Sequence, residues 1–144
     1  MKNINKIMGS CLCKSINVEI CDTPKTFTVC HCESCRKWSG GVPMSINSGE
    51  NLQFLGEQFV GRYSSSEWAE RGFCKNCGTH LFFRLKKSDH YFLMAGLFGD
   101  SISPKFEMQE FIDSKPNYYS FADITKTMTK KEAYQMLENY LRRP

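Results

Sequence analysis

Two cysteine pairs limit how this chain can fold more than any other feature: Cys11-Leu12-Cys13 and Cys74-Lys75-Asn76-Cys77. Residues two apart on an extended backbone face the same side, so Cys11 and Cys13 are expected to present their sulfurs together. A C-x-x-C turn, here followed by Gly78, is a common zinc knuckle. Four thiolates complete a tetrahedron, so the spacing predicts a closed, structural zinc site on Cys11, Cys13, Cys74 and Cys77. Any fold must then carry residue 13 to residue 74.

Disulfides are the rival use of eight cysteines in 144 residues. They belong to small exported chains that lack a sufficient core. The N-terminal stretch MKNINKIMGS has no apolar segment of signal-peptide length, and the longest apolar run, residues 91–98, is far too short to span a bilayer. A reducing, cytoplasmic setting is therefore expected, and metal is favoured over cross-links. With 41% hydrophobic and 24% charged residues, the chain reads as one globular domain over 1–144. The net charge of +4 sits mainly in doublets such as Arg36-Lys37 and Lys130-Lys131, with no basic stripe interleaved with aromatics. Neither nucleic acid nor membrane is expected as a partner.

Three further cysteines crowd the stretch CHCESCRKWSGG: Cys30, Cys32 and Cys35. Two residues could supply a fourth ligand. Cys21 would lie about 26 Å from Cys13 if the intervening chain were one strand, and it reads as a small free thiol. His31, if 30–32 are extended, faces away from both neighbouring sulfurs and reads as an orienting hydrogen-bond partner. His80 and His90 carry no motif. The second site thus has three protein thiolates and one open position, held by water or by an outside thiol, which is how catalytic zinc differs from structural zinc. Three thiolates leave zinc a weak Lewis acid, which disfavours hydrolysis, while a soft, sulfur-rich site suits a thiol substrate. Arg36 and Lys37 offer charge for a substrate carboxylate, or are plain solvated surface. Ser39, Gly40 and Gly41 allow close backbone approach.

Taken together, GSCLC at 9–13, CHCESCRKWSG at 30–40 and RGFCKNCGTHL at 71–81 resemble the glutathione-dependent formaldehyde-activating enzyme family, the GFA or CENP-V/GFA domain, over roughly residues 5–120. The resemblance implies a mainly β fold, a coiled sandwich of short antiparallel strands similar to a zinc-binding Rab GTPase regulator. It implies two zincs per chain, a structural one on Cys11, Cys13, Cys74 and Cys77 and a catalytic one on Cys30, Cys32 and Cys35. It also implies carbon–sulfur lyase-type chemistry of the S-(hydroxymethyl)glutathione synthase class, joining formaldehyde to glutathione. The chain departs from the family pattern near its end, where a His-containing strand and a Pro-x-Trp-type segment are replaced by EFIDSKPNYY, with Glu110 and Tyr118.

Strands are expected at 15–20, 42–46, 52–55, 59–63, 80–85, 91–94 and 105–112, with Ile16, Val18 and Ile20 on one face of the first. SSSEW at 64–68 reads as a loop, placed here near a site. In TKKEAYQMLENYLRR (129–143), Ala133, Met136, Leu137, Tyr140 and Leu141 fall at helical spacing, and Thr129 with Glu132 fits a capping box. This stripe is expected to pack on its own domain; covering a sheet edge, a homodimer contact and shaping the substrate mouth are its other uses. The functional expectation is a cytoplasmic zinc enzyme acting on a small thiol and a small aldehyde, or on their adduct, with Cys30, Cys32 and Cys35 as ligands and Arg36 as substrate anchor. The rivals are a zinc-stabilised β module that binds a macromolecule, and a zinc store or redox sensor.

Overall fold

The computed structural model describes residues 5–144; residues 1–4, the start of the polar N-terminal stretch, lie outside it. The described residues form eleven strands and two α-helices. In chain order these are β1 (Ile7–Ser10), β2 (Asn17–Ile20), β3 (Thr26–Cys30), α1 (Glu33–Ser39), β4 (Met44–Gly49), β5 (Leu52–Leu55) and β6 (Val60–Ser64). There follow β7 (Ala69–Cys74), β8 (His80–Leu85), β9 (His90–Met94), β10 (Lys105–Glu110), β11 (Lys126–Met128) and α2 (Lys130–Leu141). No helix is long and apolar enough to cross a membrane. The chain divides into two compact units, each built from two separate stretches of sequence.

The first unit holds the described residues up to Lys25 and Ser45–Pro104. Here β1, β2 and β5 pair antiparallel, and β4, β9, β8, β7 and β6 pair antiparallel in that order. The alternation read from the sequence is real: Ile16, Val18 and Ile20 are all 3% exposed or less. Across the sandwich, Phe54 of β5 meets Phe82 of β8 at 5.4 Å and Tyr91 of β9 at 5.6 Å. Burying side chains of this size stabilises the fold by about 1.5–3 kcal/mol each. Ser64 ends β6 and residues 65–68 form a loop, held locally by Lys86, whose Nζ donates to Ser64 Oγ and to the Ser66 carbonyl.

Cys11 and Cys13 depart from their expected setting. They lie in the turn joining β1 to β2, not on a strand, and Lys14 takes a left-handed φ of 64° while its N–H donates to the Cys11 carbonyl at 3.1 Å. The hairpin registers Ile7 with Ile20, so Cys21 sits at its open end, away from the turn.

The second unit holds Thr26–Met44 and Lys105–Pro144. Its strands β11, β10 and β3 are parallel, whereas antiparallel strands were expected throughout. β3 and β10 are far apart in sequence, so their pairing needs no tight turn and leaves no local signal to read. Phe27 of β3 stacks on Phe106 of β10 at 4.9 Å, and Phe121 meets Phe106 edge-on at 5.1 Å. Helix α1 was not expected: with seven residues it is too short to show a periodicity. Helix α2 was expected, and Thr129 caps it by accepting from the Glu132 N–H at 3.2 Å. Glu132 does not complete the reciprocal box; its carboxylate accepts from the Thr129 hydroxyl instead. Asp113 Oδ1 accepts from the Lys130 N–H at 2.9 Å, and Phe111 meets Tyr134 edge-on at 5.7 Å. No α2 residue is buried, and Met136 is 60% exposed.

Candidate metal centres

Cys11 and Cys13 from the first hairpin turn meet Cys74, the last residue of β7, and Cys77 from the turn that follows. Cys11 Sγ lies 3.7 Å from Cys13 Sγ, and Cys13 Sγ lies 3.8 Å from Cys74 Sγ. A disulfide would need about 2.05 Å. A tetrahedron with metal–sulfur bonds of about 2.3 Å has sulfur–sulfur edges of about 3.8 Å, so the observed spacing fits zinc. The surroundings favour thiolates. The Thr79 hydroxyl, 3.1 Å from Cys77 Sγ, pulls that thiol down to about 5, while the Thr79 oxygen also accepts from the Leu12 N–H at 3.0 Å. The Ser15 hydroxyl, 3.2 Å from Cys13 Sγ, lowers Cys13. Burial pushes Cys74 up to about 11, so this buried thiol needs a cation to ionise. The Ile16 N–H donates to Cys11 Sγ at 3.3 Å, which ties the core strand to the cluster.

The second cluster is built where β3 becomes α1. Cys30 ends the strand, Cys32 is the extended N-cap residue, and Cys35 lies in the first turn. Their sulfurs are all within 4.8 Å of one another. Cys32 Sγ accepts from the Cys35 N–H at 3.3 Å, the bond that an N-cap oxygen would normally make. That bond brings the two side chains of the C-x-x-C pair to the same end of the helix. Contacts with Cys32 and Cys35, together with burial, raise Cys30 far above the ordinary thiol range, so the three sulfurs cannot all ionise without a compensating cation. Among the described residues no fourth Cys, His, Asp or Glu joins this cluster, and Cys21 belongs to neither.

His31 is fully buried, and both of its ring nitrogens are occupied. Nδ1 lies 2.7 Å from the Tyr119 hydroxyl, and Nε2 lies 2.9 Å from Gln109 Oε1. With both nitrogens engaged, it makes the contacts expected of an orienting hydrogen-bond partner. Burial lowers its basicity, with Lys115 and Arg36 acting in the same direction. Arg36 reaches back: its Nε donates to the His31 carbonyl at 2.8 Å and a terminal nitrogen donates to the Ser114 carbonyl at 3.5 Å. Lys37 is exposed, with Glu33 at 3.7 Å. Glu110 pairs in register with Cys30, and its carbonyl accepts from the His31 N–H at 2.9 Å. Burial, and then the charge of Cys32, hold its carboxyl above the usual range.

Sequence reasoning missed Gln109, Tyr119, Thr125 and Lys115. It pointed to Tyr118, which is 79% exposed, and the neighbouring Tyr119 is the one that reaches His31. Lys115 fixes this loop by donating to the Tyr119 carbonyl at 2.6 Å, with its ammonium 5.3 Å from the Tyr119 ring. The other two histidines lie outside both clusters; His90 Nε2 donates to Asn47 Oδ1 at 2.6 Å.

An uncharacterized lyase of Schizosaccharomyces pombe is 39% identical over 131 residues, which cover 90% of this chain and 95% of the relative. A crystal structure of a Rhodobacter sphaeroides protein shares the fold with a TM-score of 0.56 at 16% identity, covering 69% of this chain and 99% of that one. Residues 6–114, which contain both cysteine clusters, match the sequence family described as glutathione-dependent formaldehyde-activating enzyme. The chain belongs to that family.

Proposed function

We propose that this protein is a zinc-dependent carbon–sulfur lyase-type enzyme, of the S-(hydroxymethyl)glutathione synthase-like class. It would work in the cytoplasm on a small, glutathione-like thiol and a small aldehyde, or on their adduct. One observation carries the reading: Cys30, Cys32 and Cys35 converge without a fourth protein ligand among the described residues, and the nearest alternative, His31, is occupied at both nitrogens. The family match and the lyase-named relative support the reaction class.

A zinc ion held by these three sulfurs would supply a soft acceptor that keeps a thiol deprotonated near neutral pH. In the forward direction a sulfur–carbon bond forms and the thiol proton ends on the former carbonyl oxygen; the reverse reaction breaks that bond. The chain's own groups hold this chemistry in place. Arg36, with its guanidinium fixed between the His31 and Ser114 carbonyls, gives the cluster a standing positive charge and is the residue we assign to a substrate carboxylate. Glu110, half-buried and in register with Cys30, keeps its proton to higher pH than an exposed carboxyl does and is the residue we assign to proton exchange with the substrate. The four-cysteine cluster has no free position and serves as the structural centre.

The test is metal content measured together with turnover of a thiol–aldehyde pair. Cys32→Ser is expected to keep its fold, lose one zinc of two, and lose activity. A fully active variant with one zinc would refute the assignment.

A further inference from the structure

Phe111 holds its backbone in the left-handed region, with φ 55° and ψ 46°, one residue after Glu110 leaves the ladder beside Cys30. A bulky aromatic residue in that region is a genuine outlier, and it persists only where the surrounding structure over-determines it. The turn at Phe111 decides where the next residues go. The Ser114 N–H donates to the Phe111 carbonyl at 2.9 Å, which closes the turn, and the Ser114 carbonyl accepts from Arg36. Arg36 is thus held by two carbonyls, one from His31 at the entry to its own helix and one delivered by this turn. The last segment of the chain holds the turn in place. β11 pairs with β10 so that Met128 registers with Glu110, Asp113 Oδ1 accepts from the Lys130 N–H, and Tyr134 sets its ring edge-on to Phe111 at 5.7 Å and 85°. Helix α2 buries none of its own residues, yet it packs on residues 112–114. The match to the sequence family ends at residue 114, the last residue of the turn, so β11 and α2 lie beyond it.

We propose that Phe111 and Tyr134 are positioning residues for the three-cysteine site: the contact between their rings clamps the left-handed turn, and the turn keeps the Ser114 carbonyl on Arg36. The C-terminal helix thereby sets how firmly Arg36 is aimed, although it supplies no residue to either cysteine cluster. An Arg36 that has lost one of its two carbonyls samples more rotamers. A carboxylate must then order the side chain on binding, which weakens binding without changing the bond-making step. The inference rests on the function proposed above for the carboxylate that Arg36 receives, and not for the clamp itself.

Amide hydrogen exchange of the zinc-loaded protein tests the clamp without a substrate. The Ser114 N–H is bonded to the Phe111 carbonyl, so its exchange rate reports opening of the turn. Tyr134 is 49% exposed, so Tyr134→Ala is expected to fold and keep both zincs, while exchange at Ser114 rises about fivefold. Tyr134→Phe keeps the ring and should restore the wild-type rate, and Met136→Ala, at an exposed position of the same helix, should leave it unchanged. Phe111→Gly makes the left-handed turn accessible without the ring, and should exchange at least as fast as Tyr134→Ala. Wild-type exchange in Tyr134→Ala and Phe111→Gly would overturn the proposal. Steady-state turnover of an aldehyde with a carboxylate-bearing thiol tests the link to Arg36. Tyr134→Ala should raise KM about fivefold and hold kcat within about twofold of wild type, and Tyr134→Phe should restore KM. Faster exchange with an unchanged KM would break the link through Arg36 and overturn the proposal. If wild type turns over no such pair, the functional reading fails, while exchange at Ser114 still decides whether the helix clamps the turn.

Discussion

The two clusters should respond to metal removal in a fixed order, because they close chain loops of very different length. The four-cysteine cluster joins Cys13 to Cys74 across 61 positions, whereas the three-cysteine cluster spans only residues 30–35. Treated as a cross-link that restricts the unfolded chain, the first is worth about 4 kcal/mol and the second about 2 kcal/mol. Against a typical domain stability of about 5–15 kcal/mol, losing the first takes a large share of the total and losing the second does not. The perturbation is a stepwise chelator titration of the zinc-loaded protein. Released zinc is followed with a metallochromic dye, folding by circular dichroism, and stability by the urea midpoint. One equivalent should leave with the spectrum intact and a stability loss of about 2 kcal/mol, and the second should leave together with unfolding. Cys35→Ser should reproduce the first stage, and Cys74→Ser should be largely unfolded. Release of both equivalents in one cooperative step, or equal stability of the two variants, would refute the loop-length reasoning.

Other expectations follow from individual residues. Gly56 has φ +84°, and a Cβ there would sit 2.0 Å from the Ser15 carbonyl oxygen, a backbone atom with little room to yield; Gly49 has φ +58° and nothing nearer than 3.9 Å. Both alanine variants carry the left-handed cost of about 1–2 kcal/mol, and Gly56→Ala adds overlap worth about 1–3 kcal/mol. Urea midpoints that coincide would show that the Ser15 turn moves freely. All three histidines are held below the ordinary value of 6.5, chiefly by burial, so the unfolded chain binds more protons than the folded one as pH falls below that value. Their contribution is therefore complete above about pH 6.5 and is lost on acidification. His90→Gln, remote from both clusters, should show a shallower loss of urea midpoint between pH 7 and 5.5 than wild type, and an identical slope would count against burial as the cause. Cys21 is a free thiol in neither cluster, so Cys21→Ser should keep two zincs and change stability by no more than about 0.5 kcal/mol.

The legible part of this protein is the part written in short-range spacing. Pairs at C-x-C and C-x-x-C declare their partners within a few residues, so the division of seven cysteines into four and three could be read directly, and the structure brings the same seven together. The alternation of Ile16, Val18 and Ile20 was legible for the same reason. What could not be read depends on distant pairing or on one backbone angle. The positive φ of Lys14 turns Cys11–Cys13 into a hairpin turn, and lysine is not a residue that announces such a turn. The parallel arrangement of β3 with β10 leaves no local trace, so the register that places Glu110 beside Cys30 was hidden, as was the choice of Tyr119 over its neighbour. Gln109 looked like an ordinary strand residue, and only its buried contact with a histidine 78 positions away gives it a role.

The wide separation between β3 and β10 has a consequence for biosynthesis. The ribosome releases Cys30, Cys32 and Cys35 early, while the residues that seat His31, Gln109 and Tyr119, follow 78 and 88 positions later. For that interval the nascent thiols stand without their parallel neighbour, yet three sulfurs within six positions can already capture an ion, because their loop is so short. Metal capture would then precede the closing of the sheet around it, and zinc supply during translation, as much as after it, would set how many molecules mature with both centres filled.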